Sequence, residues 1–315
     1  MSSGFRAQLG LIAETTYGQA VTVTRFYPFV EESLSQEIER LESAGIIAGQ
    51  RVLRSFQWNP DVVRITGDIG MELFQQQTGL LFEHMLGSIT SSTAGGVATH
   101  TATPGSLDGK SLTIQVGKPG TAGTVHPFTY AGVKIQSWEL AIETGEIVTL
   151  GLTCYGKSET TGITLATASY PSDIRPFRYD QGGVSISATS FCVRALTLQG
   201  ENPMDTERFC IGTSTVDEPL ENDTRNYSGT ATLEFRDLTM YQRFLGTTEY
   251  PVVLTLSASA TAQTIITMNA RFDGASPNVT DKGLVMIETP FKCIASTSLD
   301  SSAISITLKN TQTAP

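Results

Sequence analysis

Basic residues are scarce in this chain. Lys and Arg number 21 against 31 Asp and Glu, which gives a formal net charge of −10 at pH 7. A protein that grips nucleic acid through its phosphates needs a basic face, so this balance argues against such a function. The basic residues are also dispersed without interleaved aromatic residues, so no single-strand stacking platform is predicted. An acidic chain can nevertheless work close to DNA without binding to it.

Long apolar runs are missing as well. No eighteen-residue apolar run is present, so no transmembrane helix and no membrane anchor are predicted. The first residues, 1–6, lack the charged and then apolar pattern of a secretory signal, so synthesis in a cytoplasm is expected.

Cysteine and histidine are too few and too scattered for a metal site. The four cysteines form no CxxC pair and match no zinc spacing, and the three histidines suggest neither a metal site nor a catalytic pair. Three of the cysteines, Cys154, Cys192 and Cys293, lie in apolar stretches and are predicted to be buried, reduced thiols.

What the chain does have is alternation of apolar and polar residues with a period of two. Hydrophobic residues make up 40% of the chain and charged residues 17%, so it can bury a core. Residues 146–154 are one example, with Val148, Leu150, Leu152 and Cys154 on one face. This pattern predicts a mainly β protein with many antiparallel strands. The clearest predicted helices are short, at 78–86 and 237–245, each followed by glycine. Residues 33–43 fit either a helix face or one side of a strand.

An internal repeat relates the two halves of the chain. Residues 65–73 align with 227–235, which places Gly67 on Gly229, and a short predicted helix follows each copy. We therefore predict two tandem β-sandwich or β-barrel modules, each with one flanking helix. The predicted boundaries are an N-terminal arm 1–24, a first module 25–160, a linker 161–180, a second module 181–310 and a C-terminal tail 311–315. A long polar loop precedes each aligned strand, at 42–62 and at 200–225.

No catalytic residue, metal site or cofactor is predicted. Residues 151–158 satisfy the GxxxxGK[ST] pattern of a phosphate-binding loop, but the residues inside it favour a β-strand and no helical pattern follows. The paired carboxylates Glu139 and Glu143 fall on one side of a predicted strand, where a solvated acidic sheet face explains them.

Three segments carry a resemblance to a known family. Residues 9–26, which contain Glu14, Tyr17 and Gly18 in a Glu-x-x-Tyr-Gly motif, resemble the start of siphophage tail tube (major tail) proteins. Residues 228–245 resemble the strand-then-helix segment of the same family, and residues 303–310 resemble its ending.

This resemblance implies a structural virion protein, not an enzyme. Such proteins stack as rings into a hollow tube through which the genome leaves the capsid, and sheets of neighbouring subunits join edge to edge around its bore. Long loops and terminal arms reach adjacent rings. The implied partners are further copies of the chain, the tape measure protein inside the tube, and the tail terminator and tail tip proteins. DNA passes through without specific binding. The implied location is the virion tail, assembled in the host cytoplasm.

The repeat adds a prediction about the ring. If each half is one tube module, three chains close a ring of pseudo-sixfold symmetry, and the rival is a hexamer with one tube module per chain. Glu139 and Glu143 are the candidate acidic residues of the bore, and the outer surface is the alternative location for them. The candidate residues for contacts between rings or subunits lie in the two long loops: Glu42, Gln50, Glu201, Asp205, Glu218 and Arg225.

Two other functions stay open at this stage. A β-rich adhesin or carbohydrate-binding module would share the pattern rich in Thr and Gly. A nucleotide-binding protein would depend on Gly151–Ser158.

Overall fold

The alternating pattern folds into antiparallel strands throughout the chain. A computed structural model describes residues 4–172, 174–274, 276–279 and 282–315. Its strands in chain order are β1 (Gln8–Ala13), β2 (Arg25–Tyr27), β3 (Glu31–Glu32), β4 (Ser35–Glu42), β5 (Trp58–Glu72), β6 (Gly87–Ala94), β7 (Val97–Pro104), β8 (Leu112–Pro119), β9 (Val125–Glu143), β10 (Thr149–Gly156), β11 (Ser158–Thr160), β12 (Gly182–Ile186), β13 (Thr189–Phe191), β14 (Val193–Glu201), β15 (Asn226–Glu234), β16 (Tyr250–Ser259), β17 (Ala262–Phe272), β18 (Met286–Cys293) and β19 (Ile304–Asn310). The predicted mainly β fold is confirmed.

Two short α-helices interrupt the strands in the described chain, α1 (Gly79–Leu86) and α2 (Thr239–Leu245). They lie where the sequence predicts helices. Gly87 ends α1 in a left-handed conformation with φ of 99°, a role that glycine fills without strain. Gly246 follows α2 with φ of −88°, so it is not a left-handed cap. Short 3-10 turns occupy Gly4–Arg6, Ser55–Gln57, Tyr179–Gln181 and Asp300–Ser302.

The central feature is a seven-stranded antiparallel sheet that runs through both halves of the chain. Its order is β4–β5–β10–β9–β14–β15–β18, and β3 extends the β4 edge along β5. We call it the spanning sheet. The C-terminal half of β9 pairs with β10 on one side and with β14 on the other, so it joins the two repeats.

Two further groups of strands complete the fold. One has the order β6–β7–β19–β17–β16–β12–β13, and pairing of β7 with β19 again joins the two halves. The other, β2–β1–β8–β9–β11, uses the N-terminal half of β9. One hydrophobic cluster fills the interior, with Trp138, Leu150 and Leu198 contributed by neighbouring strands of the spanning sheet.

The aligned segments of the repeat occupy equivalent places. β5 and β15 both lie inside the spanning sheet, and α1 and α2 follow them. Gly67 and Gly229 both lie where another part of the chain comes close. A Cβ on Gly67 would come within 2.6 Å of the Leu34 backbone, and one on Gly229 within 2.5 Å of the Phe291 ring. The same steric requirement at the same aligned position supports the repeat.

Two details differ from expectation. Cys154 and Cys293 are buried thiols as predicted, but Cys192 is exposed, because it precedes β14 at a corner outside the core. Part of the predicted linker also packs against the modules, since Phe177 is buried and Gln8 donates a hydrogen bond of 2.6 Å to the carbonyl of Ala166. The module boundaries themselves stay a prediction.

Candidate assembly surfaces

One face of the spanning sheet is polar and mostly acidic. Glu139 and Glu143 lie on it and are exposed. Register places Glu139 opposite Gly151 on β10 and opposite Gln199 on β14. The carboxylates that share this face are Glu31, Asp68, Glu72, Glu139, Glu143, Glu201, Glu234 and Glu288.

This face forms an open groove of about 440 Å³ near Glu139. Gln199 donates a hydrogen bond to Glu139, and Thr153 donates one of 2.8 Å to Asp68. The basic residues nearby are few: Arg194 is paired with Glu234 at 2.5 Å, Arg64 is paired with Glu207 at 2.6 Å, and Lys292 is exposed on β18. The face is therefore negative, and its hydroxyl and amide groups bind its own carboxylates.

The first long loop, residues 43–57, presents apolar side chains to solvent. Ile46 is 99% exposed and Phe56 67% exposed. The loop is held by its own polar contacts, because Gln50 donates a hydrogen bond of 2.6 Å to the side chain of Gln57, which also bonds the backbone of Gly45 and Arg54. Of the predicted contact residues, Gln50 belongs to this internal network and Glu42 is exposed at the end of β4.

The second long loop, residues 202–225, is fixed to the first half of the chain. Lys134 on β9 is only 2% exposed. Its Nζ donates hydrogen bonds to Glu218 at 2.6 Å and to the carbonyls of Leu107 and Pro219, both at 3.0 Å. A buried ammonium needs such partners, so Lys134 ties this loop to β9.

The end of the second loop is tied down in the same way. The Arg225 guanidinium donates to the carbonyls of Leu86 and Gly105 and pairs with Glu221. Burial alone would raise the pKa of Glu221, but pairing with Arg225 holds that pKa below its usual range. The predicted contact residues Glu218 and Arg225 thus make their contacts within the chain. Glu201 ends β14 on the polar face, and Asp205 accepts a hydrogen bond from the Glu207 amide.

The Glu-x-x-Tyr-Gly motif has a structural role. Glu14 is buried, and its carboxylate accepts hydrogen bonds from the hydroxyls of Ser111 at 2.6 Å and Thr113 at 2.8 Å, and from the amides of Gly18 at 2.8 Å and Gly132 at 2.9 Å. These four donors satisfy the charge and fasten the segment after β1 onto β8 and β9.

Sequence reasoning missed Lys134 as a functional residue. It stands alone between apolar residues in Ala131–Ile135. A charged residue in a buried strand needs a partner, so this position could have pointed to a fixed contact.

Residues 151–158 do not form a phosphate-binding loop. Thr149–Gly156 are strand β10, paired with β5 and β9 along its length, so their amides are committed to the sheet. The Lys157 ammonium lies over the Tyr17 ring, 5.2 Å from its centre. No part of this segment can wrap a phosphate as that motif requires.

His84 is a buried residue of α1, and its loss of contact with water and the nearby Lys110 and Lys134 charges lower its pKa to about 3. Among the described residues no group of three or more His, Cys, Asp or Glu could hold a metal ion. Within the same residues no helix is long and apolar enough to cross a membrane.

Comparison with known proteins identifies the family of the chain. No curated protein matches the chain. The family model described as "Phage tail tube protein" matches residues 4–293, nearly the whole chain. The chain therefore belongs to the phage tail tube protein family and is a structural protein of the virion tail tube.

Proposed function

We propose that three copies of this chain close one ring of the tail tube, with each copy filling two of six equivalent positions. The observation that carries this proposal is the spanning sheet, in which two repeats are already joined side by side by β9 and β14. Among the described residues both ends of this sheet are open: β4 pairs with β5 alone, and β18 has a second partner, β17, over its last three residues and one further hydrogen bond from the Asp273 amide to the Pro290 carbonyl. Open edges invite pairing with another chain, and closure into a ring removes them.

The polar face of the spanning sheet lines the bore in this arrangement. Its carboxylates, Glu139 and Glu143 among them, repel the phosphates of DNA, so the genome slides through without specific binding. The opposite face packs into the core and cannot serve this purpose, because it carries buried residues such as Trp138 and Leu150. The same bore holds the tape measure protein during assembly.

The first long loop provides the contact between stacked rings. Its exposed apolar residues Ile46, Val52 and Phe56 are suited to burial against another subunit. Glu42 precedes these residues in the chain and Gln50 lies among them. The tail terminator and tail tip proteins are the partners at the two ends of the tube, as in the family, and assembly takes place in the host cytoplasm.

Electron microscopy of the purified, concentrated protein tests this proposal. We expect tubes whose rings contain three chains and six similar repeats, with Glu139 and Glu143 facing the bore. Native mass spectrometry of isolated rings should give three times the chain mass. Six chains per ring would overturn the trimer, and these residues on the outer wall would overturn the assignment of the bore.

A further inference from the structure

The joint between the two repeats is a template for the joint between chains. Along it, β14 and β9 pair in antiparallel register from Ala195 opposite Glu143 to Glu201 opposite Ser137. At one end the Thr144 amide donates to the carbonyl of Arg194, and at the other the Asn202 amide donates to the carbonyl of Gln136.

Sheet register extends the repeat beyond the aligned segments. Ser35 lies opposite Thr66, and Gln199 lies opposite Ser228, so Ser35 and Gln199 occupy equivalent positions. The same correspondence holds for β3, where Glu31 is equivalent to Ala195. The β3–β4 edge is therefore the first repeat's version of β14.

The other side of each repeat corresponds equally well. Gly67 lies opposite Cys154, and Gly229 lies opposite Phe291, so β10 and β18 are equivalent over their whole lengths. Ile135 pairs with Cys154, and Phe272 pairs with Phe291, so the end of β17 is equivalent to the middle of β9.

This correspondence reveals one unmatched strand. In the first repeat, β9 continues past Ile135 along β10 and then meets β14. Because Phe272 is equivalent to Ile135, counting onward along the chain makes Ser276 equivalent to Glu139 and Val279 equivalent to Ile142. The described residues 276–279 are in no strand. Within the described part of the chain, the edge of β18 next to them has no strand partner over residues 286–289, and at Pro290 the carbonyl accepts one hydrogen bond from the Asp273 amide. The first repeat thus has four strands in the spanning sheet, and the second has three.

Strand direction also favours an eighth strand. Six antiparallel pairings separate β4 from β18, so the two edges of the sheet run in the same direction. If β18 met β4 of the next chain directly, that joint would be parallel, unlike every other joint in the sheet. One more strand between them makes the whole ring antiparallel.

We infer that residues 276–279 form this eighth strand, between β18 of their own chain and the β3–β4 edge of a second copy, in the register of the joint between β9 and β14. Ser276 then faces Ser35, Asn278 faces Ser33 and Val279 faces Glu32 of the second copy. This inference rests on the proposed ring and specifies how its chains join.

The position of Pro277 fits this register, although proline cannot donate a backbone hydrogen bond. The terminal hydrogen bonds of the template show that even-numbered residues of β9, such as Leu140, direct their backbone groups toward β14. Pro277 takes the place of Leu140, and it faces Leu34. Proline has no N–H to give, and the Leu34 carbonyl needs none, because it accepts hydrogen bonds from Tyr130 at 2.8 Å and Lys118 at 3.1 Å. Residues 276–279 also carry no charge, so Glu32 meets no like charge across the joint.

Disulfide trapping tests the register. Facing residues of antiparallel strands have Cα atoms about 4.5–5.5 Å apart, within the range that a disulfide spans. Ser35→Cys and Ser276→Cys are made in separate chains in which the exposed Cys192 and Cys210 are replaced by serine. We expect the mixed and concentrated chains to form a disulfide-linked dimer on oxidation, whereas neither variant alone does. A chain with both changes should give a ladder that ends at the closed ring.

A pair that is two residues out of register, Ser35→Cys with Asn278→Cys, is the matched control and should cross-link at least tenfold less. Tubes in which the control pair links equally well would overturn the register and leave the ring proposal intact. Absence of rings and tubes from the unaltered chain would instead contradict the proposed function.

A second test needs no substitution, so it remains available if the cysteine variants fail to assemble. Hydrogen exchange is measured on the unaltered chain before and after it forms tubes. The amides of Ser276, Asn278 and Val279 must become protected on assembly, and unchanged exchange there would overturn the inference.

Discussion

The two long loops hold equivalent places in the repeat but differ in chemistry. Residues 43–57 are held mainly by contacts among themselves and turn Ile46 and Phe56 to solvent. Residues 202–225 are fixed by Lys134 and by the carbonyls at the end of α1. The first loop is thus available to another molecule. The second is used inside the chain to hold the two repeats together, although Ile211 at its tip is fully exposed.

This difference fits the proposed assembly, in which the first loop contacts the next ring and the second loop holds the two repeats of one chain together. A joint inside the chain has to be permanent. A buried charge pair with several hydrogen bonds meets this need, because separating its partners would leave a buried charge without compensation. A joint between rings has to form only on assembly, and an exposed apolar patch has that property. Three experiments test this contrast, two through the stability of the isolated chain and one through the length of the tubes.

Removal of Lys134 should have the largest effect. Lys134→Met keeps the apolar part of the side chain but removes the cation beside Glu218, which retains the Gly109 amide as a donor, and leaves the carbonyls of Leu107 and Pro219 without the ammonium donor. We expect a loss of about 3 kcal/mol in the free energy of unfolding, measured with denaturant. The control Lys292→Met removes an exposed lysine and should cost less than about 0.5 kcal/mol. Equal losses would show that Lys134 does not fasten the second loop.

Acid should weaken the same region to a smaller extent. The pKa of His84 is lowered to about 3 in the folded chain. Between about pH 6.5 and pH 3 this histidine is therefore protonated in the unfolded chain and neutral in the folded chain. Stability therefore falls as the pH falls through this window, by about 2 kcal/mol at pH 5 relative to pH 7.5.

His84→Gln should remove this part of the pH dependence, measured as the difference in the free energy of unfolding between the two pH values. The exposed His126 provides the control, because His126→Gln should leave the difference as it is. A pH dependence that survives in His84→Gln would rule out this histidine as its source.

Changes in the first loop should affect folding least. Ile46→Ser alters a side chain that touches little, so the free energy of unfolding should change by less than about 0.5 kcal/mol. The length of tubes seen by electron microscopy should nevertheless fall sharply. Ile211→Ser makes the same change at the tip of the second loop and should leave tube length unaltered. If both variants shorten tubes alike, the proposed division of roles between the loops is wrong.

Much of the fold could be predicted from the sequence because its patterns are local. Alternation located β10 and β14, and glycine after an apolar run located α1. The burial of Lys134 and the capture of Arg225 could not be predicted, because they depend on loops that meet strands more than eighty residues away. The exposure of Cys192 was mispredicted for a related reason: an apolar neighbourhood in sequence does not reveal that the residue lies at a sheet corner.

The polar face was predicted in part. The alternation around Glu139 correctly placed Glu139 and Glu143 on one solvated side of a strand. The sequence did not show that this strand lies in the middle of a sheet, since that depends on its pairing with β14 from the other half of the chain.

The length of β9 has a mechanical consequence. Its 19 residues span about 60 Å at the usual rise of a strand, and it is hydrogen-bonded in turn to β8, β11, β10 and β14. A load applied to the first strands of the chain therefore reaches the second repeat through β9 and its hydrogen-bonded pairing with β14. A tube wall made of such subunits resists bending through β9 inside each subunit, before the contacts between subunits are strained.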